Sequence, residues 1–334
     1  VRTRAAAVAR RGALGRASRR SGLRVRASAA EVEALDTKYG IAGSVAFVAG
    51  EGGLPAVRLT HHNGSTATVY LYGACVCSWT QPSGDEVLFV RPDAKFDKSK
   101  PISGGVPLCF PQFGPGEMQQ HGFARNLDWE VAGTSADVNP DYPEPAVMLK
   151  LTQSDYTKAM WPADFEATYE VTLRRDRLKL ELRVLNSGAD PLAFTAALHT
   201  YIEVTDASDP AVRVQGLRGK QYLDKSQDAD APPLRTEDRP AVPFGSGLVD
   251  SVYLATDPEV LLEVGTGAAV AVENTSGFKD HVVWNPHEDM PACWKNFVCV
   301  ENAAVGEKVD LLPGQVWGGE VNLSVLDEAP PVQA

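Results

Sequence analysis

Long apolar runs, paired cysteine motifs and glycine-rich nucleotide loops are all missing from this chain of 334 residues. Nothing in it approaches the ~18 consecutive apolar residues of a membrane-spanning helix, so no membrane partner is expected. There is no G-x-G-x-x-G, no Walker loop and no G-x-S-x-G elbow, which leaves nucleotide, flavin and serine-hydrolase chemistry without their parts. The six histidines (His61, His62, His121, His199, His281 and His287) show neither H-x-H nor H-x-x-x-H spacing, so a zinc site is not expected. No cofactor and no metal are predicted. The five cysteines (Cys75, Cys77, Cys109, Cys293, Cys299) form no C-x-x-C pair. Cys75 and Cys77 alternate along an apparent strand and share a face; small buried thiols are the simpler reading, a redox switch the alternative. Helical signal is also scarce, since no segment of 12 residues holds a 3.6-residue period.

Acidic residues are absent from one region only. Residues 1–30 hold nine arginines and no Asp or Glu, whereas the remainder carries a formal charge of −20. An Arg- and Ala-rich, acid-free N-terminus has the composition of an organelle transit peptide, with Val25-Arg26-Ala27-Ser28-Ala29 suited to processing. The expectation is a chloroplast protein, with the mitochondrion as alternative and the cytoplasm if the segment is not a transit peptide. A basic arm for nucleic acid is the competing reading, but the acidic body has no basic patch to support it, so no nucleic-acid partner is expected.

What the chain does have is short β-branched runs punctuated by 23 prolines and 29 glycines. Thr66–Tyr72, Glu166–Arg174, Leu178–Leu185, Ala193–Val204, Val260–Val264, Ala269–Glu273, His281–Trp284, Phe297–Glu301 and Val321–Val325 read as strands. Arg175-Asp176-Arg177 links two of them into a hairpin. An all-β fold follows, a large antiparallel β-sandwich over 43–327, with regular structure starting near Gly43. Tyr222–Pro243 reads as a surface excursion and Glu328–Ala334 as a frayed tail. With no heptads and no long apolar edge, a monomer is expected.

Two places carry candidate chemistry. The run Gly104–Gly116 is too rich in Gly and Pro for a helix and too apolar for a loose linker, so it packs on the scaffold. It delivers Gln120, His121 and Arg125, an amide, an imidazole and a guanidinium able to fork onto a sugar hydroxyl or a phosphate. Exposed loop polarity is the bland reading. His199 lies in a strand-like run and Glu301 ends the apolar Phe297–Val300. A strand histidine is more often structural, and a carboxylate there is either partnered or kept for proton transfer. Neither decides alone.

In order along the chain, Gly104–Phe113, Gln120-His121-Gly122-Phe123-Ala124-Arg125-Asn126 with Trp129, Leu198-His199-Thr200-Tyr201, Trp284-Asn285-Pro286, Phe297–Glu301 and Leu312-Pro313-Gly314 match one pattern. By these motifs the chain resembles the aldose 1-epimerase superfamily, most closely its hexose-6-phosphate mutarotases (glucose-6-phosphate 1-epimerases). The resemblance implies a galactose-mutarotase-like supersandwich with a sugar cleft, catalytic His199 and Glu301, and substrate binding by Gln120, His121, Arg125 and Asp250. It implies a small-molecule partner, a sugar or sugar phosphate. One position departs: where phosphate-binding members carry an arginine just before the Gly-Gly, this chain has Ser103, leaving Arg125, with Arg91 or Lys98 as possible substitutes. A mutarotase for free aldoses, a non-catalytic carbohydrate-binding module and a polysaccharide lyase or hydrolase on a related sandwich are the competing expectations.

Overall fold

The computed structural model describes residues 29–136 and 144–332. Within them the chain builds three antiparallel sheets of four, eight and nine strands. The alternation of Leu and charge seen in sequence is the reason. In the strand Arg177–Asn186, Leu178, Leu180, Leu182 and Val184 are fully buried while Lys179, Glu181 and Arg183 face outward. Lys179 there pairs with Glu320 of the neighbouring strand at 2.7 Å. The predicted hairpin forms: Phe165–Leu173 and Arg177–Asn186 pair from Phe165↔Asn186 to Leu173↔Leu178. The inward faces of the two large sheets meet in one apolar core, where Leu180, Leu182 and Val321 share a cluster with Leu198, Val283 and Val300.

The strand Phe297–Leu311 runs through the middle of the eight-stranded sheet, between Asp280–Asn285 and the strands Leu192–Leu198 and Tyr201–Glu203. Every residue from Phe297 to Ala304 is buried, so both faces of this stretch are covered. Its register then jumps, with Phe194 opposite Val309 but Ala196 opposite Ala304. The resulting bulge is tied by Asp280, whose carboxylate accepts the backbone N–H of Val305 at 2.9 Å and of Gly306 at 2.7 Å.

The Gly104–Arg125 loop is packed down, as its composition suggests. Phe110 is fully buried, with the rings of Phe123, Trp161, Phe165 and Phe194 between 5.2 and 6.3 Å away. Its carbonyl accepts the N–H groups of Phe123 and Ala124, folding the loop back on itself. Gly122 sits at φ +70°, and a Cβ there would lie 2.2 Å from the Phe110 oxygen, so only glycine permits this close return.

Several expectations change. Regular structure begins before Gly43, with a helix at Ala29–Tyr39 whose Val32, Leu35 and Tyr39 pack on the core. Its apolar stripe exists but the 11-residue length falls under the window in which periodicity shows. A second helix, Asp155–Met160, is fixed by a capping box between Ser154 and Thr157. Tyr222–Pro243 is no simple excursion: it contains most of the strand Gln221–Asp224, with Leu234–Thr236 and Ala241–Pro243. Glu237 within it is buried, held by Arg239 and the Tyr253 hydroxyl. Part of the tail is anchored, since Ala329 N–H donates to the Gly267 carbonyl and the Pro330 carbonyl accepts from Gln215. The strand expected over Ala193–Val204 breaks at His199-Thr200. The arginine-rich stretch up to residue 28 lies outside the described residues.

Phe110→Ala should cost about 3–5 kcal/mol of stability, because it empties the aromatic hub while its neighbours stay fixed. Urea unfolding of the purified variant checks this; a loss below about 1 kcal/mol contradicts the packing described.

Candidate active site

Register places the chemistry. Leu198 pairs with Asn302 and Tyr201 with Cys299, so one register runs through the break and sets His199 opposite Glu301. Residues directly opposite in an antiparallel pair project from the same face. The row extends sideways from Glu301 to Val282 and Val252. In the adjacent row Cys299 pairs with Trp284, and Trp284 with Asp250. His199, Glu301, Tyr201, Trp284 and Asp250 therefore stand on one face, and the other face faces the core. From Tyr201 to Asp250 is three strand spacings, about 14 Å, enough for a hexose and one substituent.

The break itself has a cause. The His199 N–H donates to the Pro107 carbonyl at 3.0 Å, and the Thr200 N–H turns back to the Leu198 carbonyl at 2.9 Å. The Gly104–Arg125 loop thus takes over the backbone of His199 and brings His121 beside it, with ring centroids 5.6 Å apart. Tyr201 stacks on the other side of His199 at 4.8 Å and 12°, and Trp284 meets it edge-on at 5.7 Å. Rings on three sides leave the imidazole little freedom.

His199 Nδ1 lies 3.4 Å from Glu301 Oε1. The two are within reach but not aligned for a hydrogen bond, and both His199 Nδ1 and Glu301 Oε2 are buried without partners. Unpartnered buried polar atoms are uncommon, and at a cleft floor they are what a polar ligand satisfies. His121 is more fixed. Its Nδ1 accepts the Gly114 N–H at 3.2 Å while its backbone N–H donates to the Gly114 carbonyl at 2.9 Å. A neutral ring with Nδ1 accepting carries its proton on Nε2, so His121 presents a donor. It does so from φ +65°, a left-handed backbone rare for a non-glycine residue.

Burial dominates the electrostatics. It lowers the His199 pKa to about 3, with the charge of Arg125 adding to the effect. It lowers His121 to about 2, assisted by His199 and Arg125. Burial raises Glu301 well above the ordinary carboxylate range, and the Asp250 charge raises it further, while Lys225 and Arg125 pull it back. Asp250 is also raised by burial, against the pull of Lys225. Burial thus favours the neutral form of both imidazoles and of the Glu301 carboxyl.

The residues marked in the sequence converge, except that Gln120 sits at the rim. Its side chain is exposed, with Nε2 3.4 Å from His121 Nε2, and its carbonyl accepts Arg125 Nη2 at 3.0 Å. Arg125 Nε is buried and unpartnered. Sequence reasoning passes over Lys225, whose charge acts on Glu301, Asp250 and His121. Its backbone N–H donates to the Asp250 carbonyl at 2.8 Å and its Nζ lies 5.6 Å from the Phe113 ring centroid. Nothing in the residues around it marks it; only the pairing of strands Gln221–Asp224 and Val249–Tyr253 brings it in. A cavity of about 400 Å³ adjoins this face, lined by Phe113, Gly114, Leu223, Lys225, Val252 and Val305 among others.

A buried imidazole facing a buried carboxyl on one face of a large antiparallel β-sandwich, ringed by hydrogen-bonding side chains, is an arrangement suited to a polar ligand, on a fold of the galactose-mutarotase type. The family model described as aldose 1-epimerase matches residues 55–324. A Cenchrus ciliaris protein named "Putative glucose-6-phosphate 1-epimerase" is 37% identical over 82% of this chain and 85% of its own length. An Escherichia coli protein of the same name is 34% identical over 72% and 80%. The crystal structure of a "putative mutarotase" from Salmonella typhimurium superposes with TM-score 0.75 at 25% identity, covering 86% of this chain and 95% of that one. The chain belongs to the aldose 1-epimerase family and is an isomerase.

A buried carboxyl with a raised pKa stabilises the fold only while it is protonated; that stability is lost as pH rises through its folded-state value. Glu301→Gln, which keeps the shape and removes the charge, should therefore be more stable than wild type at pH 8, by about 1–3 kcal/mol. The gap should close toward pH 5. Thermal unfolding across that range checks it; equal stability at pH 8 contradicts the burial assigned to this carboxyl.

Proposed function

We propose that the protein interconverts the α and β anomers of a hexose 6-phosphate by opening and reclosing the pyranose ring. The observation that carries this reading is the 3.4 Å approach of His199 to Glu301 on the cleft floor, with one unpartnered atom on each. The names of the Cenchrus ciliaris and Escherichia coli relatives support the phosphorylated substrate.

Opening requires that the C1 hydroxyl lose a proton and the ring oxygen gain one; closure reverses both. Glu301 takes the first proton and His199 supplies the second, and they exchange roles when the ring closes on the other face. Between them they carry one transferable proton. Burial favours its residence on Glu301, so the productive state needs the proton on His199. Arg125 and Lys225 both favour the ionised Glu301, and a C1 hydroxyl donating to its free oxygen favours it further. His121, neutral with Nε2–H outward, donates to the ring oxygen or a neighbouring hydroxyl. Asp250 and Arg125 hold the sugar while the C1 aldehyde turns, with Gln120 at the rim.

A mutarotase for free aldoses is the second reading, favoured by Ser103, which brings no charge to the loop. Magnetisation-exchange NMR on glucose 6-phosphate and glucose in parallel separates the two, since each acceleration is read directly against a blank.

Glu301→Gln and His199→Asn should each lower the exchange rate by about 100-fold or more with the fold intact. A purified variant within about tenfold of wild type sinks the assignment of that residue. Because the shared proton resides mainly on the raised Glu301 carboxyl, its loss sets the alkaline limb of kcat/KM, which should lie above the ordinary carboxylate range. Asp250→Asn should move that limb to lower pH, and Lys225→Gln to higher pH. Shifts of the same sign in both variants contradict the electrostatic account.

A further inference from the structure

The cleft has two ends of different character. Asp250 and Lys225 mark one end of the row that runs through Trp284 and Cys299 to Tyr201. The Tyr201 end is met by the segment Glu86–Val90, which crosses there: Phe89 N–H donates to the Tyr201 carbonyl at 3.0 Å, and Gly105 N–H to the Phe89 carbonyl at 2.8 Å. The Phe89 ring stacks on Phe297 at 5.1 Å and 12°, in one cluster with Tyr201, Trp284 and Cys299. It is thus on the side of the sheet that carries the site. Arg91 lies two residues further along this extended segment and projects to the same side. Its backbone N–H donates to the Ser103 carbonyl at 3.0 Å. Arg91 and Ser103 are backbone partners, made so by Gly104, where a Cβ would fall 2.4 Å from Val90 Cα.

The Arg91 side chain is only 19% exposed, an unusual burial for a guanidinium. Asp93, itself largely exposed, takes its Nε at 2.9 Å and Nη2 at 2.7 Å, which orients the fork and leaves Nη1 for another acceptor. The charges of Arg91 and Arg125 are both felt at Tyr201. Lys98 is engaged elsewhere, paired with Asp128 at 2.7 Å and set over Tyr72.

We propose that Arg91, together with Arg125, holds the anionic group on C6 of the sugar at the Tyr201 end of the cleft, supplying the cation that its backbone partner Ser103 lacks. A pyranose with its hydroxyls toward Asp250 and its C1 over Glu301 directs the C6 substituent to this end. Two guanidiniums there match a phosphate's oxygens in forked geometry. The assignment rests on hexose 6-phosphate chemistry at Glu301.

The test is saturation kinetics of anomer exchange on glucose 6-phosphate, with inorganic phosphate as competing probe and free glucose in parallel. Arg91→Ala should raise the half-saturating concentration of glucose 6-phosphate about tenfold or more, weaken inhibition by phosphate alike, and leave kcat within about threefold. Adding Ser103→Arg to that variant should restore much of the loss. Unchanged half-saturation and unchanged phosphate inhibition overturn the proposal. So does an equal fall of kcat on both sugars, which marks a structural role. If Arg91→Ala does not fold, Arg91→Gln is read in the same way. Glu301→Gln in the same assay separates the two levels: inactive Glu301→Gln beside a normal Arg91→Ala removes only the phosphate assignment. A fully active Glu301→Gln removes both.

Discussion

The alignment of Phe297–Leu311 against Leu192–Glu203 is the constraint on which the site depends. One register sets a histidine opposite a glutamate in the middle of a sheet, and a slip by one residue would send each side chain to the opposite face. The bulge at Val305-Gly306 helps to prevent such a slip, because Asp280 holds both N–H groups and interrupts the ladder there before it resumes at Val309. Core packing on the other face of the same strand fixes the register a second time, through Val298 and Val300. The candidate site and the hydrophobic core are thus two faces of one strand.

The cleft is built from opposed tendencies. Burial makes charge expensive on Glu301, His199 and His121, while Arg125 and Lys225 bring positive charge close enough to favour an ionised carboxylate. The body of the protein is strongly acidic, so attraction of an anionic sugar falls to these few cations acting locally. That acidity also keeps the outer faces of the sheets soluble, alongside alternating charges such as Lys179 and Glu320.

Much of the architecture was legible in the sequence because period-2 alternation survives wherever one face of a strand is buried, as in Leu178–Leu185. The loop 104–125 was legible too, since a stretch so rich in Gly and Pro cannot be a helix and so apolar a one cannot lie in water. His199, Glu301, Gln120, His121, Arg125 and Asp250 were marked in advance by motif resemblance more than by spacing. The break at His199 was not visible, because the loop that draws its N–H out of the ladder is about ninety residues away. Lys225 was hidden for the same reason, since it reaches the site through a backbone pairing that no local pattern encodes; Arg91 stood beside Lys98 as a candidate, and only the pairing of its N–H with Ser103 tells the two apart. The two helices were missed because both are too short to show a period.

The helix Ala29–Tyr39 has a further bearing, on how much of the chain can be trimmed. It lies against Val45–Ala49, the outermost strand of the four-stranded sheet, where Asp36 accepts the Phe47 N–H at 2.8 Å and Tyr39 meets the Phe47 ring. The helix therefore covers a strand edge whose N–H groups would otherwise be open to pairing with another molecule. A version of the protein begun at Gly43 would keep the eight-stranded sheet whole and uncover an edge of the four-stranded one, adding a tendency to self-associate without touching the face that carries His199 and Glu301.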